Sequence, residues 1–179
     1  GADARIMIDT YMSWDAEVTL EMTRLLRDYG IYWFEDVLTP DDLVAQAALR
    51  PAIKPTLLAG GEHEFTQYGF QEVARAGALD LWQPDITWCG GTTAGRRIAR
   101  LVEAASLEII PHRGGSSWGL PIALTSASCT MAESFPAGST LLDAMSPLVE
   151  NGDVLAPEAP GFGTTLTEEL VLDQRLSSA

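Results

Sequence analysis

Residues that form crosslinks or carry positive charge are scarce in this chain of 179 residues. Its two cysteines, Cys89 and Cys129, are too few for the disulfide framework of a small secreted domain, so we expect a reducing compartment and a cytoplasmic protein. Lysine and arginine number 11 against 25 acidic residues, which gives a net charge of −14. Because proteins that bind nucleic acid normally present a basic face, this composition argues against a nucleic-acid partner.

Long hydrophobic runs are lacking as well. No apolar stretch approaches the roughly 18 residues of a membrane-spanning helix. The polar start of the chain is followed by only a short apolar stretch, Ile6 to Ile8, which is shorter than the core of an export signal. We therefore expect no membrane partner. Hydrophobic residues still make up 46% of the chain, which is enough to bury the core of a globular protein.

A short apolar run that ends in a polar residue recurs six times along the chain. The runs contain β-branched and aromatic residues, which is typical of buried parallel strands. We call the polar residue that ends each run its tip. The six tips are Asp9, Glu35, Glu62, Asp85, His112 and Glu133.

Helical patterns lie between these runs. A helix capped by Ser13 or Asp15 is expected to stop at Gly30, and the sequence Pro40-Asp-Asp opens the next one. Two further helices are predicted over Thr66 to Ala76 and Thr92 to Ala105. The alternation predicts an α/β fold.

Within that class we favour a TIM-type (β/α) barrel, of which this chain carries about six βα units, strands 3 to 8 of the eight that close a barrel. The carboxyl ends of all barrel strands lie on one face, so the six tips would converge on a single mouth. An open doubly wound sheet is the rival architecture. It would spread the tips along a crevice on both sides of a switch point.

The end of the chain follows a different pattern. Asn151-Gly152 between apolar pairs predicts a hairpin, and the proline-rich stretch from Pro157 to Gly163 predicts an extended segment. We therefore divide the chain into residues 1–140, a part of the barrel domain, and residues 141–179, a C-terminal tail that is not another βα unit.

The first three tips, Asp9, Glu35 and Glu62, are carboxylates on consecutive strand ends. Any one of them alone would be read as an ordinary solvated acid. Three anions at one mouth would repel one another unless a cation neutralised them, and Mg²⁺ prefers hard oxygen ligands. The pattern predicts a Mg²⁺ site.

His112 is a candidate general base, because histidine titrates near neutral pH. Asp85, one strand earlier, could orient one ring nitrogen and make the other more basic. Glu133 could form a hydrogen bond across the mouth from the metal. The structural alternatives are a core histidine bonded to a backbone carbonyl and a glutamate at the start of a helix.

The order of the tips resembles the mandelate racemase branch of the enolase superfamily. Four segments are similar, more narrowly, to the L-rhamnonate dehydratases of that branch: residues 11–15, 61–64, 83–91 and 110–118. The resemblance covers nearly the whole chain and ends at residues 160–163. It implies an N-terminal capping domain outside this chain, on which the tail 141–179 would pack.

The resemblance also implies a role for each tip. Asp9, Glu35 and Glu62 would ligate Mg²⁺, His112 with Asp85 would form the acid/base dyad, and Glu133 would bond the substrate carboxylate or enediolate. His63 would contact the substrate by the same analogy. From its place beyond a tip, Trp118 is expected to wall the pocket as a second substrate-binding residue.

The implied activity is that of a Mg²⁺-dependent acid-sugar dehydratase, which takes the C2 proton of a sugar acid and eliminates the 3-hydroxyl to give a 2-keto-3-deoxy acid. The expected partners are a small-molecule sugar acid and further copies of the chain in a homo-oligomer. Two alternatives stay open at this point. One is a racemase or epimerase of a 2-hydroxy acid, with its second base outside this chain, and the other is a non-catalytic fragment that retains the metal site.

Overall fold

The computed structural model describes residues 4–134, 149–163 and 167–169. Five short strands alternate with helices along the first of these ranges. The strands are β1 (Ile6–Asp9), β2 (Ile31–Glu35), β3 (Leu57–Gly60), β4 (Leu81–Trp82) and β5 (Glu108–Ile109). The helices are α1 (Ala16–Leu25), α2 (Leu43–Ala52), α3 (Gln67–Ala76), α4 (Gly91–Ala104) and α5 (Leu120–Thr125), with a 3₁₀ turn at Arg27–Tyr29.

The five strands form one parallel sheet in the order β1-β2-β3-β4-β5. Each strand pairs with the next one along the chain, so the order never reverses as it does in a doubly wound sheet. This progression is that of a (β/α) barrel, and it confirms the expected architecture. The register places Asp9 opposite Glu35 and Glu35 opposite Ala59, so the carboxyl ends of the first strands are level.

The predicted helix boundaries are confirmed at their capping residues. Asp15 accepts a hydrogen bond from Val18 N at 2.8 Å and begins α1, and Asp42 begins α2 in the same way. The 3₁₀ turn after α1 ends at Gly30, which adopts the left-handed conformation that favours glycine. Polar side-chain caps therefore set where α1, α2 and α3 begin, whereas α4 and α5 begin after Gly90 and Gly119 without a side-chain cap.

Hydrophobic side chains cover both faces of the sheet. The larger cluster lies between strands and helices and includes Phe34 and Leu58, both fully buried. A second cluster on the opposite face contains Trp33, Ala59, Leu81 and Ile110. Because side chains alternate along a strand, Glu35 shares the face of Trp33 and points to the interior side of the sheet.

The sixth predicted strand, residues 129–133, is not formed, and in this detail the sequence prediction was wrong. The backbone bond to β5 is made by the residue just before this segment, with Ile109 N donating to Ser128 O at 3.3 Å. Because β5 is only two residues long, it offers too little edge for a ladder. A second bond, from Gly115 N to Glu133 O at 2.7 Å, fixes the end of the segment.

The predicted hairpin is present, with β6 (Val149–Glu150) and β7 (Asp153–Val154) paired antiparallel. Asn151 and Gly152 form its turn, both with positive φ, as a two-residue hairpin loop requires. The boundary at 140/141 lies outside the described residues, so the division into two parts stays a prediction. Over the described ranges, no helix combines the length and the apolar character needed to cross a membrane.

Candidate active site

Glu35 is the most deeply placed of the three candidate metal ligands, with 7% of its surface exposed. Trp33 Nε1 donates a hydrogen bond to its Oε2 at 3.0 Å. Burial raises the pKa of Glu35 to about 6, against the lowering effect of hydrogen bonds from Gln83 and Trp33, and the negative charge of Asp9 adds to the increase. Burial therefore favours the protonated form of this carboxylate, and a bound cation would favour the ionised form.

Asp9, the register partner of Glu35, is exposed at the end of β1. Its Oδ1 accepts a hydrogen bond from Tyr11 N at 2.9 Å, which orients the side chain at the tip. Its charge acts on Glu35 and also on Glu62, so the three carboxylates share one electrostatic environment. Among the described residues, the acids and histidines whose ligand atoms lie within 4.8 Å of one another are Asp36, Glu62 and His63, so binding of one ion by Asp9, Glu35 and Glu62 together stays a prediction.

Glu62 lies between the two histidines of the chain. Its Oε2 is 3.2 Å from His112 Nε2, and its Oε1 is 3.2 Å from His63 Nε2. Burial raises the pKa of Glu62, and the two imidazoles partly offset that increase. The preceding residue, Gly61, has a φ of +118°, and a Cβ there would lie 2.9 Å from the ring of Phe70, so glycine is needed to turn the chain toward the mouth.

His112 and Asp85 form a hydrogen-bonded pair with 2.8 Å between Nδ1 and Oδ2. Asp85 is almost fully buried, and its other oxygen accepts bonds from Thr87 N at 2.7 Å and from Thr87 Oγ1 at 2.6 Å. Burial opposes the charge on Asp85, but the bonds from His112 and Thr87 outweigh it and hold its pKa below the usual value. The carboxylate is therefore ionised and fixed, which is what an orienting partner of a histidine needs.

The pKa of His112 is affected by opposing influences. Burial lowers it, but the hydrogen bond with Asp85 and the charges of Glu62 and Glu133 outweigh burial and raise it above its usual value. With Nδ1 on Asp85, the Nε2 atom faces the carboxylates of the mouth. The raised pKa makes this imidazole a stronger base, and its Nε2 faces the carboxylates of Glu62 and Glu133.

Glu133 reaches the same mouth although its segment is not a strand. Arg113 N donates a hydrogen bond to Glu133 Oε2 at 2.6 Å, and that oxygen lies 4.0 Å from His112 Nε2. The side chain is 31% exposed, the most open of the acids around His112. It is therefore placed to meet a ligand entering the mouth.

Aromatic rings surround the two histidines. Trp88 lies between them, with ring centroids 5.8 Å from His63 and 6.2 Å from His112, and Tyr11 meets His63 edge-on at 5.4 Å. Trp118 is half-buried, and its Nε1 is buried without a hydrogen bond to any described residue. Its contact with substrate remains a prediction.

Sequence reasoning missed Asp36, which directly follows the second tip. Its Oδ2 lies 3.6 Å from His63 Nε2, and burial together with the charges of Glu62 and Glu35 raises its pKa to about 7. Among the described residues, Asp36, Glu62 and His63 each offer a ligand atom within 4.8 Å of the other two. The available signal was a second acid beside a tip, which a pattern of one tip per strand passes over.

The donor set fits a divalent cation. Glu35 and Glu62 are buried carboxylates whose pKa values are raised mainly by burial, whereas Asp9 is exposed, and Asp36 Oδ2 is buried without a hydrogen bond to any described residue. Hard oxygen donors of this kind suit Mg²⁺. A bound cation would reverse the penalty that these acids now bear.

Comparison with known proteins defines the class of this chain. The sequence profile of the Enolase C-terminal domain-like family matches residues 1–170, and the chain belongs to that family. An L-rhamnonate dehydratase of Saccharopolyspora erythraea is 32% identical over 96% of this chain and 46% of its own length. A protein of Caldivirga maquilingensis is 35% identical over 96% of this chain and 45% of its own length.

Solved structures agree on the family. A racemase from Streptomyces coelicolor with bound magnesium is 30% identical, with a TM-score of 0.83 over 100% of this chain and 48% of its own. The L-talarate dehydratase of Polaromonas sp. JS666, complexed with Mg and L-glucarate, is 27% identical, with a TM-score of 0.82 over 96% of this chain and 47% of its own. The chain spans about half the length of the relatives it matches. The resemblance to the mandelate racemase branch of the enolase superfamily is thereby confirmed.

Proposed function

We propose that this chain carries the metal-binding and proton-transferring half of a Mg²⁺-dependent acid-sugar dehydratase of the L-rhamnonate dehydratase kind. The observation that carries the proposal is the position of His112, bonded through Nδ1 to Asp85 and directed through Nε2 toward the carboxylates of Glu62 and Glu133. The similarity to named L-rhamnonate and L-talarate dehydratases supports the substrate class.

Asp9, Glu35 and Glu62 would hold the Mg²⁺ ion. When bound, the ion supplies positive charge that stabilises the additional negative charge created on a carboxylate when its α-proton is removed. The overall charge of −14 makes this contribution necessary, because the acidic mouth would otherwise repel an anionic substrate.

His112 is the base in this proposal. Its neutral Nε2 takes the proton from C2 of the sugar acid, and the electron pair of the broken C–H bond passes into the enediolate of the substrate carboxyl group. Asp85 keeps the other ring proton on Nδ1 and stabilises the imidazolium that forms. Thr87 holds Asp85 in place through two hydrogen bonds.

The elimination then breaks the bond between C3 and its hydroxyl, which would leave as water with the proton that the His112 imidazolium holds, so that His112 returns to its neutral form. Glu133, fixed by Arg113 N, would bond the carboxylate or enediolate, and His63 would contact the substrate beside Trp88. The enol that remains tautomerises to a 2-keto-3-deoxy acid. A sugar acid with a 3-hydroxyl is therefore the required substrate class.

The decisive experiment replaces the base. In a protein that contains this chain in full, His112→Asn should lower dehydration of acid sugars by at least about 10²–10⁴-fold, the usual contribution of a general base, while calorimetric Mg²⁺ affinity stays unchanged. A matched substitution at an exposed acid outside the mouth, Glu72→Gln, should leave both unchanged. Retained turnover in His112→Asn would refute the base assignment.

A 2-hydroxy-acid racemase or epimerase is the second candidate, favoured by the similarity to the magnesium-bound racemase of Streptomyces coelicolor. It would share the C2 proton removal by His112 but keep the 3-hydroxyl. Incubation in deuterated water separates the two, because dehydration gives a 2-keto-3-deoxy acid and racemisation returns the 2-hydroxy acid with deuterium at C2. Recovery of only the latter would replace the dehydratase proposal.

A further inference from the structure

We propose that Asp36, Glu62 and His63 form a second cation site, which binds a transition-metal ion of the Zn²⁺ class. An ion bound there would compete with the proposed Mg²⁺ site for their shared ligand, Glu62. The site is distinct from the carboxylate set Asp9, Glu35 and Glu62 in two of its three ligands. Its test measures metal binding, so it can fail or succeed independently of the dehydratase proposal.

The spacing of the ligand atoms matches zinc coordination. Zn²⁺ binds nitrogen and oxygen ligands at about 2.0–2.2 Å in a tetrahedron, which places neighbouring ligand atoms about 3.3–3.5 Å apart. His63 Nε2 lies 3.2 Å from Glu62 Oε1 and 3.6 Å from Asp36 Oδ2. All three ligand atoms lie within 4.8 Å of one another.

Two of these atoms lack a hydrogen bond. Asp36 Oδ2 and His63 Nε2 are both buried, and neither has a hydrogen-bond partner among the described residues. The Asp36 side chain is 9% exposed, so its second oxygen cannot rely on bulk water. Buried polar atoms without hydrogen bonds are costly, and a shared cation would satisfy the two of them together with Glu62 Oε1.

The chemical types of the three ligands favour a transition-metal ion over Mg²⁺. One imidazole with two carboxylates suits Zn²⁺ and its first-row neighbours, whereas Mg²⁺ takes oxygen ligands. His63 is 15% exposed and borders the mouth beside Trp88, so an ion can reach it. Because Glu62 also belongs to the proposed Mg²⁺ set, an ion held by His63 and Asp36 would draw this shared ligand away. Zn²⁺ would therefore inhibit a Mg²⁺-loaded enzyme.

The experiment is isothermal titration, with Zn²⁺ in excess Mg²⁺, of a purified protein that contains this chain in full. We expect one Zn²⁺ per chain. Because loss of an outer-shell partner alone costs 10–100-fold in metal affinity, loss of a direct ligand in Asp36→Asn or His63→Gln should weaken Zn²⁺ binding at least about 100-fold. Asparagine tolerates the left-handed backbone at Asp36, whose φ is 45°, so that variant keeps the local fold.

Three further variants complete the design. Asp41→Asn removes an exposed acid nearby and should bind Zn²⁺ as the parent chain does. Asp9→Asn should weaken Mg²⁺ and spare Zn²⁺, whereas Glu62→Gln should weaken both. X-ray absorption of the Zn²⁺-loaded chain should show one nitrogen ligand that disappears in His63→Gln, with folding checked by circular dichroism. Unchanged Zn²⁺ affinity in folded Asp36→Asn and His63→Gln, or no Zn²⁺ binding above excess Mg²⁺, would overturn the proposal.

Discussion

Asp85 Oδ2 lies 2.8 Å from His112 Nδ1, although the two residues are 27 positions apart in sequence. Each residue follows the end of its own short strand, β4 and β5, and those strands pair directly through Leu81 and Glu108. Two residues separated by one βα unit in sequence are therefore brought side by side at the mouth of the barrel.

The first prediction concerns the pKa of His112. Asp85→Asn should lower it, because a hydrogen bond to a carboxylate stabilises the imidazolium and an amide does not. Proton NMR across a pH titration would report the change, since the chain has only two histidines. Turnover should fall by about 10²–10⁴-fold, because the ring also loses its fixed tautomer.

His63→Gln identifies which of the two ring signals belongs to His112. In that variant the remaining signal should titrate as in the parent chain, with a pKa above the usual value of histidine. A titration midpoint that Asp85→Asn leaves unchanged would show that Asp85 does not control the imidazole.

The second prediction concerns metal binding at Glu35. Glu35→Gln should reduce Mg²⁺ affinity at least about tenfold, because a neutral amide replaces one of the charged oxygen ligands. The substitution keeps the shape of the side chain and an oxygen for the bond from Trp33 Nε1. Calorimetric titration after treatment with a chelator measures the affinity. Equal Mg²⁺ affinity in the variant and the parent chain would remove Glu35 from the ligand set.

The third prediction concerns the turn before Glu62. Gly61→Ala should destabilise the chain by about 1–3 kcal/mol, because the new Cβ meets the Phe70 ring and the backbone is in a region that L-residues avoid. Mg²⁺ affinity should fall as well, since the turn directs Glu62. Chemical denaturation and calorimetry would measure the two effects.

Gly30→Ala is the matched control, because Gly30 also has positive φ but nothing lies within 4 Å of a Cβ there. It should cost only about 1 kcal/mol and leave Mg²⁺ affinity unchanged. Equal losses in the two variants would mean that the contact with Phe70 contributes nothing.

The fourth prediction concerns Asp80, which precedes β4 at the end of the sheet away from the mouth. Its Oδ1 lies 2.7 Å from both Arg50 Nε and Lys54 Nζ, and Leu58 N donates to its Oδ2 at 2.9 Å. Burial alone would raise the pKa of Asp80, but these donors outweigh burial and lower it below 3.8. Asp80→Asn should therefore cost about 1–3 kcal/mol of stability at pH 7.

The sign of the pH effect follows from that lowered pKa. The folded chain binds the proton of Asp80 less readily than the unfolded chain, so its contribution is present above pH 3.8 and is lost as the pH falls through the folded value. Denaturation curves measured at a series of pH values below 7 should show the gap between parent and variant narrowing toward acid. Glu72→Gln, at an exposed pair with Arg75, should change stability by less than about 1 kcal/mol. A gap between the parent and Asp80→Asn that persists in acid would contradict the assignment.

Much of the fold was predictable because it depends on local signals. Apolar runs with polar tips predicted the five strands that form, and Asp15, Asp42 and Gly77 set helix ends as capping chemistry requires. The pairing of Asp85 with His112 was also predictable, since adjacent parallel strands place their ends side by side. The hairpin at Asn151 and Gly152 followed from turn chemistry alone.

Features that depend on packing were not predictable. The sixth run has the composition of a strand, yet residues 129–133 find only a two-residue neighbour and form no ladder. The contact of Asp36 with His63 was not predicted, although an acid beside a tip was visible in sequence, because only the turn after β2 and the burial beside Glu62 bring its Oδ2 to His63. Thr87, which holds Asp85, was missed for the same reason.

The sequence by itself determined the α/β class, the sequential order of the strands and the polar residue at each strand end, because these follow from periodicity and from local capping. The tertiary structure decided which oxygens meet which nitrogens: Glu62 between two imidazoles, Asp85 fixed by Thr87, and Asp36 facing His63. Distances of a few ångströms between side chains depend on twist, burial and side-chain packing across several elements, and no single stretch of sequence carries that information.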